Sequence, residues 1–501
     1  MFVTHILFIF CAISRVTNED YKLLPPIFHI DPYDKCLQEN KTFCRISIKL
    51  SPSKNKTKIW NLIEETKISK RFYNHDELYY AICVENGQKN ETLSELYTNK
   101  FKNASLRATV VEINCQEHKY EIKTFDILVL TCIILYLLLI LVATLYHLKT
   151  PNGHKFLILF SPWHNFQNLK RNFKQRNCEK LKCIQGIRFY TTVLIIFCHT
   201  FCSYSGGYIA NTKYLEDFPQ NFIRHGLRNL FVFLVQTFFL VSGWLLSYNT
   251  FKIFDKTKRG DFFKYWCLTF LNRYLRLIPP VLLMVSLGTS VWIYGSFHGP
   301  IKYVYSDREY ERCQRSWWVI FLFLSNHYQQ HDMHFVLLWY ILVIGLPLSV
   351  IIISSFEFNR VASALLAGIL KPLYALGIGI GIFGMSQQIG GKITNFTMTV
   401  RIHKFLGFLK SLCEWKPALF LGNVTYSTYV VHFGIVFSRT ALATKPLPVS
   451  DYVLFVSFVE DTVWSFLCGF LMHLLVEMPA SQLQKMLVPK FSHGSEKKIK
   501  K

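Results

Sequence analysis

A run of apolar residues long enough to cross a bilayer, GIRFYTTVLIIFCHTFCSY at 186 to 204, carries both an arginine and a histidine. Ionisable groups are costly in hydrocarbon unless they face the interior of a helix bundle or a cavity. Arg188 and His199 stand eleven positions apart. Eleven residues of α-helix make about three turns, roughly 16 Å, so both side chains project from nearly one face. The run predicts a buried helix with a polar stripe, and His199 is a functional candidate by default. Other runs of similar length lie at 126–147, 230–250, 279–297, 335–355, 361–385, 417–440 and 452–476. Together they predict an all-α polytopic membrane helix bundle of about eight or nine spans.

Charge sets the orientation. The chain has 56 Lys and Arg against 32 Asp and Glu, a formal net charge of +24 over 501 residues. In a soluble protein that balance would point to nucleic acid. Here the cations cluster between apolar runs, which is the positive-inside pattern, and nucleic acid is not expected as a partner. The segment 148–182 reads as a basic cytoplasmic linker, with Lys149, Lys155, Lys170, Arg171, Lys174, Arg176, Lys180 and Lys182. Lys252, Lys256, Lys258, Arg259 and Lys264 follow the run at 230–250 and keep the alternation. Eight spans from an outside N-terminus would leave the basic tail, 487–501, outside. The alternation therefore requires a missing, re-entrant or unrecognised span between about 316 and 398.

The first residues, MFVTHILFIFCAIS, are apolar but too short to span, and 1–16 reads as a signal peptide. Residues 17–124 then form a luminal or extracellular domain, ahead of a first transmembrane helix at 125–147. Four sequons, at Asn40, Asn55, Asn90 and Asn103, fit glycosylation there. Cys36, Cys44, Cys83 and Cys115 make an even count in an oxidising compartment, which predicts two disulfides with three pairings open. The plasma membrane or the endoplasmic reticulum is the expected location.

Several groups could carry chemistry. His199 has the pKa range of a general base, and Arg188 is a permanent cation suited to an anion. Arg273 and Arg276, in NRYLRLIPP, share a helical face and could fork onto phosphates. Pro279 and Pro280 suit a helix start. Ser242-Gly243 lacks the flanking glycines of a nucleophile elbow and reads as a close helix-packing site. His432 and Glu477 sit in or beside the last runs and read as structural. No zinc spacing, phosphate loop or dinucleotide fingerprint is present, so no metal or tightly bound cofactor is expected.

In order and spacing, four blocks resemble the acyltransferase 3 family, in its nose-resistant-to-fluoxetine branch. They are GIRFYTTVLIIFCHT, FFLVSGWLLSY, RYLRLIPP, and LGNVTYSTYVVH with VEMPASQLQKML. CQRSWW, with LSNH and WY downstream, is also similar to that branch. So is the cysteine-containing N-terminal segment with YDKCLQ, AICVENG and EINC. The resemblance covers nearly the whole chain and makes 183–486 an acyltransferase-like transmembrane domain. The branch usually has about ten spans there, and this chain shows seven. HDMHFVLLWYILVIGL lacks the cysteine and the acidic residue that the branch carries around its WY pair.

The resemblance implies an O-acyltransferase that moves an acyl group from acyl-CoA, as co-substrate, to a hydroxyl of a lipid, glycan or small molecule. It makes His199 the catalytic base with Arg188 as motif partner, and Arg273 and Arg276 contacts for the donor. The alternative is a non-enzymatic membrane component for uptake or transport of lipids or small hydrophobic molecules, in which the polar stripe lines a pathway. A receptor-like or scaffolding role for the luminal domain is a third reading. Membrane lipids are partners in all three.

Overall fold

The computed structural model describes residues 17–53, 57–68, 73–87, 90–102, 105–115, 122–175, 182–218, 234–245, 262–290, 299–300, 310, 313–315, 317–318 and 411–487. The expected leader, Asn55, Asn103, the runs at 335–355 and 361–385 and the tail beyond Leu487 lie outside them. Two parts emerge: a small α/β unit at the N-terminus and a helical bundle.

The N-terminal unit holds α1 (Asn18–Tyr21), β1 (Phe28–Ile30), α2 (Tyr33–Gln38), β2 (Thr42–Pro52), α3 (Lys58–Ile68), β3 (Glu77–Val84), α4 (Asn90–Lys102) and β4 (Leu106–Asn114). The strands form one sheet in the order β1-β3-β2-β4. β1 runs parallel to β3, with Phe28 opposite Tyr79. β2 is antiparallel to both β3 and β4, with Ile46 opposite Tyr80 and Ile113. The all-α expectation thus holds for the bundle alone. Strict alternation in β2 buries Cys44, Ile46, Ile48 and Leu50 on one face. Trp60 and Ile63 of α3 and Leu93, Tyr97 and Phe101 of α4 close over that face.

Of the three open pairings, the structure has Cys36–Cys83 and Cys44–Cys115. They span 47 and 71 residues of sequence, and chain-entropy arguments give each roughly 4 kcal/mol. Asn40 ends the α2 turn at φ 57°, a left-handed conformation that asparagine tolerates. It is exposed.

Among the described residues four helices are long and apolar enough to cross a membrane: Thr124–Lys149, Lys182–Ser205, Cys267–Thr289 and Asp451–Leu487. The first is α5. The basic segment after it is more than a linker: α6 (Pro162–Gln175) is amphipathic, burying Leu169 while Lys170 and Arg171 are exposed. The helix with Arg188 and His199 is α7 (Lys182–Ser205). The third apolar helix belongs to α8 (Phe262–Thr289), which carries Pro279 and Pro280 in its interior rather than at its start. Prolines there leave the carbonyls of Leu275 and Arg276 without their intrahelical donors. The hydroxyl of Tyr426 donates to the Leu277 carbonyl in the same turn, at 2.6 Å.

The run expected as one span at 417–440 is two helices, Lys416–Leu421 and α9 (Thr425–Ala441). The last run outlasts its expected end: α10 (Asp451–Met472), a π-helical turn at His473–Glu477, and α11 (Met478–Leu487). A π turn has one residue too many for its rise and frees carbonyls. Neighbours take them up: Asn165 of α6 donates to the Leu474 carbonyl at 3.1 Å, and the Tyr136 hydroxyl of α5 to the Leu475 carbonyl at 2.6 Å.

α7, α9 and α10 pack as the core of the bundle. A Cβ on Gly469 of α10 would come within 2.5 Å of the Thr428 Cα of α9, so only glycine permits this approach. The N-terminal unit sits on one end of the bundle. Tyr73 donates to the Ser205 carbonyl at 2.9 Å, and Phe28 meets the Tyr208 ring at 5.1 Å. Burial pushes the Tyr208 phenol up to about 12. His75 Nε2 lies 2.9 Å from a Glu216 carboxylate oxygen, and both side chains are almost fully buried, at 1% and 0% exposure.

Candidate functional site

His199 does not stand alone. Its Nδ1 lies 2.8 Å from Nε2 of His432 on α9, with the two rings nearly parallel at 12°. His432 is 2% exposed, and its own Nδ1 lies 2.6 Å from the Tyr429 carbonyl oxygen. A carbonyl only accepts, so His432 Nδ1 carries the proton it donates. Neutral His432 then offers Nε2 as an acceptor, and His199 Nδ1 must be the donor. That leaves the His199 proton on Nδ1 and a lone pair on Nε2, the tautomer a general base needs. Phe433 packs edge-on against His199 at 5.7 Å, and Tyr429 lies 5.3 Å from His432. The pair sits in an aromatic setting between two packed helices.

Local sequence places both rings. Thr425, Ser427, Thr428, Val431 and His432 are buried on one face of α9, and Ile195, Ile196 and Thr200 flank His199 on α7. One residue beyond His199, Thr200 donates to Asp461 of α10 at 2.7 Å. Asp461 also accepts from Arg439 of α9, and Arg439 lies over the Tyr204 ring at 5.8 Å. This buried cluster ties α7, α9 and α10 together between the histidines and the N-terminal unit.

The expected residues divide. Arg188 is half-buried on α7, about three turns and roughly 16 Å along the helix from His199. It shares the helix but not the contact. Arg273 donates twice to Ser242, to the hydroxyl at 3.0 Å and to the carbonyl at 3.2 Å. That pairing replaces the close-packing expectation for Ser242-Gly243: among the described residues a Cβ on Gly243 would meet nothing within 4 Å. Arg276 behaves differently. Its side chain is 56% exposed, and one guanidinium nitrogen lies 3.5 Å from a Glu477 carboxylate oxygen. Glu477 is 2% exposed and also accepts from Ser427 at 2.8 Å and His473 at 2.7 Å. Ser427 lies five residues before His432 on α9, so the Glu477 cluster sits roughly 8 Å along that helix from the histidine pair.

Sequence reasoning named His432 and Glu477 but read both as structural. The missed signal is the TYSTYVVH spacing, which puts Thr425, Thr428 and His432 on one polar stripe. Among the described residues no group of three His, Cys, Asp or Glu side chains is arranged to hold a metal ion. Compared with known proteins, the chain matches no family model, no curated protein and no solved structure.

Proposed function

We propose that the chain is an integral membrane O-acyltransferase, with His199 as the general base that takes the proton of an acceptor hydroxyl. The observation that carries this reading is the His432–His199 hydrogen bond, which leaves Nε2 of His199 unprotonated. A hydroxyl is a poor nucleophile until a base accepts its proton, whereas a thioester is already activated for attack. In the transfer, the acceptor oxygen bonds to the acyl carbon, the carbon–sulfur bond breaks, and the thiolate of CoA leaves. The proton passes to Nε2 of His199 and from there to the thiolate.

Arg276 is the donor-facing cation in this scheme, because its guanidinium is exposed where that of Arg273 is committed to Ser242. The resemblance to acyltransferase 3 proteins implies donor contacts from both Arg273 and Arg276, and the present scheme keeps only the second. The N-terminal unit lies on the luminal or extracellular side, which its two disulfides favour. Arg273, Arg276 and Glu477 then fall toward the cytoplasmic side, where acyl-CoA is available.

The test is transfer of label from acyl-CoA to membrane lipids and glycans by the purified full chain. His199→Ala is expected to lower the rate at least on the order of 10²-fold, the scale of a lost general base. Full activity in that variant would sink the proposal. Uptake of a hydrophobic tracer without any labelled product would favour the transport alternative.

A further inference from the structure

We infer that Glu477 is a positioning residue, holding the Arg276 guanidinium toward the phosphates of the acyl donor; the inference rests on the acyl-transfer reading. Glu477 is nearly inaccessible, and Ser427 and His473 already donate to it at 2.8 and 2.7 Å. Its third partner, Arg276, sits at 3.5 Å with 56% of its side chain exposed. The pair buries the carboxylate and leaves the cation outward. A guanidinium pinned through one nitrogen keeps its other N–H groups in a fixed fork, the geometry that matches phosphate oxygens.

The carboxylate is itself held by an unusual backbone. Glu477 closes the π turn that begins at His473. That turn re-aims the helix by one residue, and π turns recur at functional sites. Tyr136 of α5 and Asn165 of α6 take up the carbonyls of Leu475 and Leu474, so two other helices support the distortion. Gln482 of α11 in turn donates to the Asn165 amide oxygen at 2.6 Å. Three elements thus converge on a turn whose last side chain points at Arg276.

The experiment is equilibrium binding of labelled palmitoyl-CoA and acetyl-CoA to the full chain in lipid nanodiscs, with thermal midpoints measured in parallel. Glu477→Gln is expected to weaken binding about tenfold, the scale of removing an orienting partner. Arg276→Ala should weaken it at least as much, and the double variant should match Arg276→Ala alone, because one residue acts through the other. Ser427→Ala removes one charge-assisted hydrogen bond to Glu477 and should weaken binding about threefold, read at matched amounts of folded protein. Glu477→Asp should recover part of the loss seen with glutamine. Additive losses in the double variant, or wild-type affinity in both Glu477→Gln and Ser427→Ala, would overturn the positioning role while donor binding stands. A wild-type chain that binds neither thioester overturns the acyl-transfer reading, and the positioning role with it.

Discussion

At the scale of single residues, the proton on His199 is placed by a chain of three groups. The Tyr429 carbonyl sets the tautomer of His432, and His432 sets that of His199. This predicts a difference between two substitutions of similar disruption. His432→Gln keeps an amide oxygen that can accept from His199 Nδ1, whereas His432→Ala removes the acceptor and lets the tautomer relax. Transfer by the alanine variant should fall on the order of 10²-fold, with the glutamine variant retaining most of the rate. Equal loss in both, measured at matched protein levels, would mean the ring acts by packing. His199 was legible in the sequence because an ionisable group in an apolar run is conspicuous. Its partner was not, because the pairing joins positions 233 residues apart and no local spacing encodes it.

At the scale of elements, the apolar runs at 126–147 and 186–204 read well, while irregularities did not. The span at 126–147 is α5 with two residues added at each end. The breaks at 422–424 and at the π turn were invisible, because both depend on what other helices offer to the freed carbonyls. The amphipathic helix α6 lies inside a basic segment whose cations obscure its apolar spacing. It contains His164, whose Nε2 accepts from the Asn168 amide at 2.8 Å, with Arg171 fixing that amide by donating to its oxygen at 2.7 Å. Burial first, then His147 and Arg171, hold the His164 pKa below its ordinary 6.5. The folded chain therefore binds the proton less readily than the unfolded one. The stabilisation is fully present above pH 6.5 and is lost as pH falls through 6.5 toward the lower folded value. The thermal midpoint should drop as pH falls below 6.5 in the wild type, and less steeply in His164→Gln. Parallel profiles in the two proteins would count against this.

On the scale of the whole molecule, the N-terminal unit is part of the bundle's architecture. Composition, sequons and cysteine count marked it as a separate domain, and its two disulfides are there. Its sheet and its seat on the bundle were not legible, since Phe28, Ala81, Tyr208 and Ala443 meet from four distant stretches of chain. The His75–Glu216 pair joins the two parts with almost no solvent access. Removing one member of a buried pair leaves the other in an unfavourable setting, at a cost of about 3 kcal/mol. His75→Ala should therefore lower the thermal midpoint and expose the connection between the parts to limited proteolysis. A His75→Ala protein as stable and as protease-resistant as the wild type would show that the apolar contacts alone hold the two parts together.

That seat also has a consequence in time. The N-terminal unit is complete in sequence by Cys115, but the bundle residues it rests on include Ala443 and Leu447. About 330 residues of synthesis separate the two, roughly 20 to 60 s at ordinary rates of chain growth. Through that interval the unit can close its disulfides while the face bearing Phe28 and Ala81 still awaits its partner. That apolar face is only partly covered until the loop between α9 and α10, which carries Ala443 and Leu447, has been made.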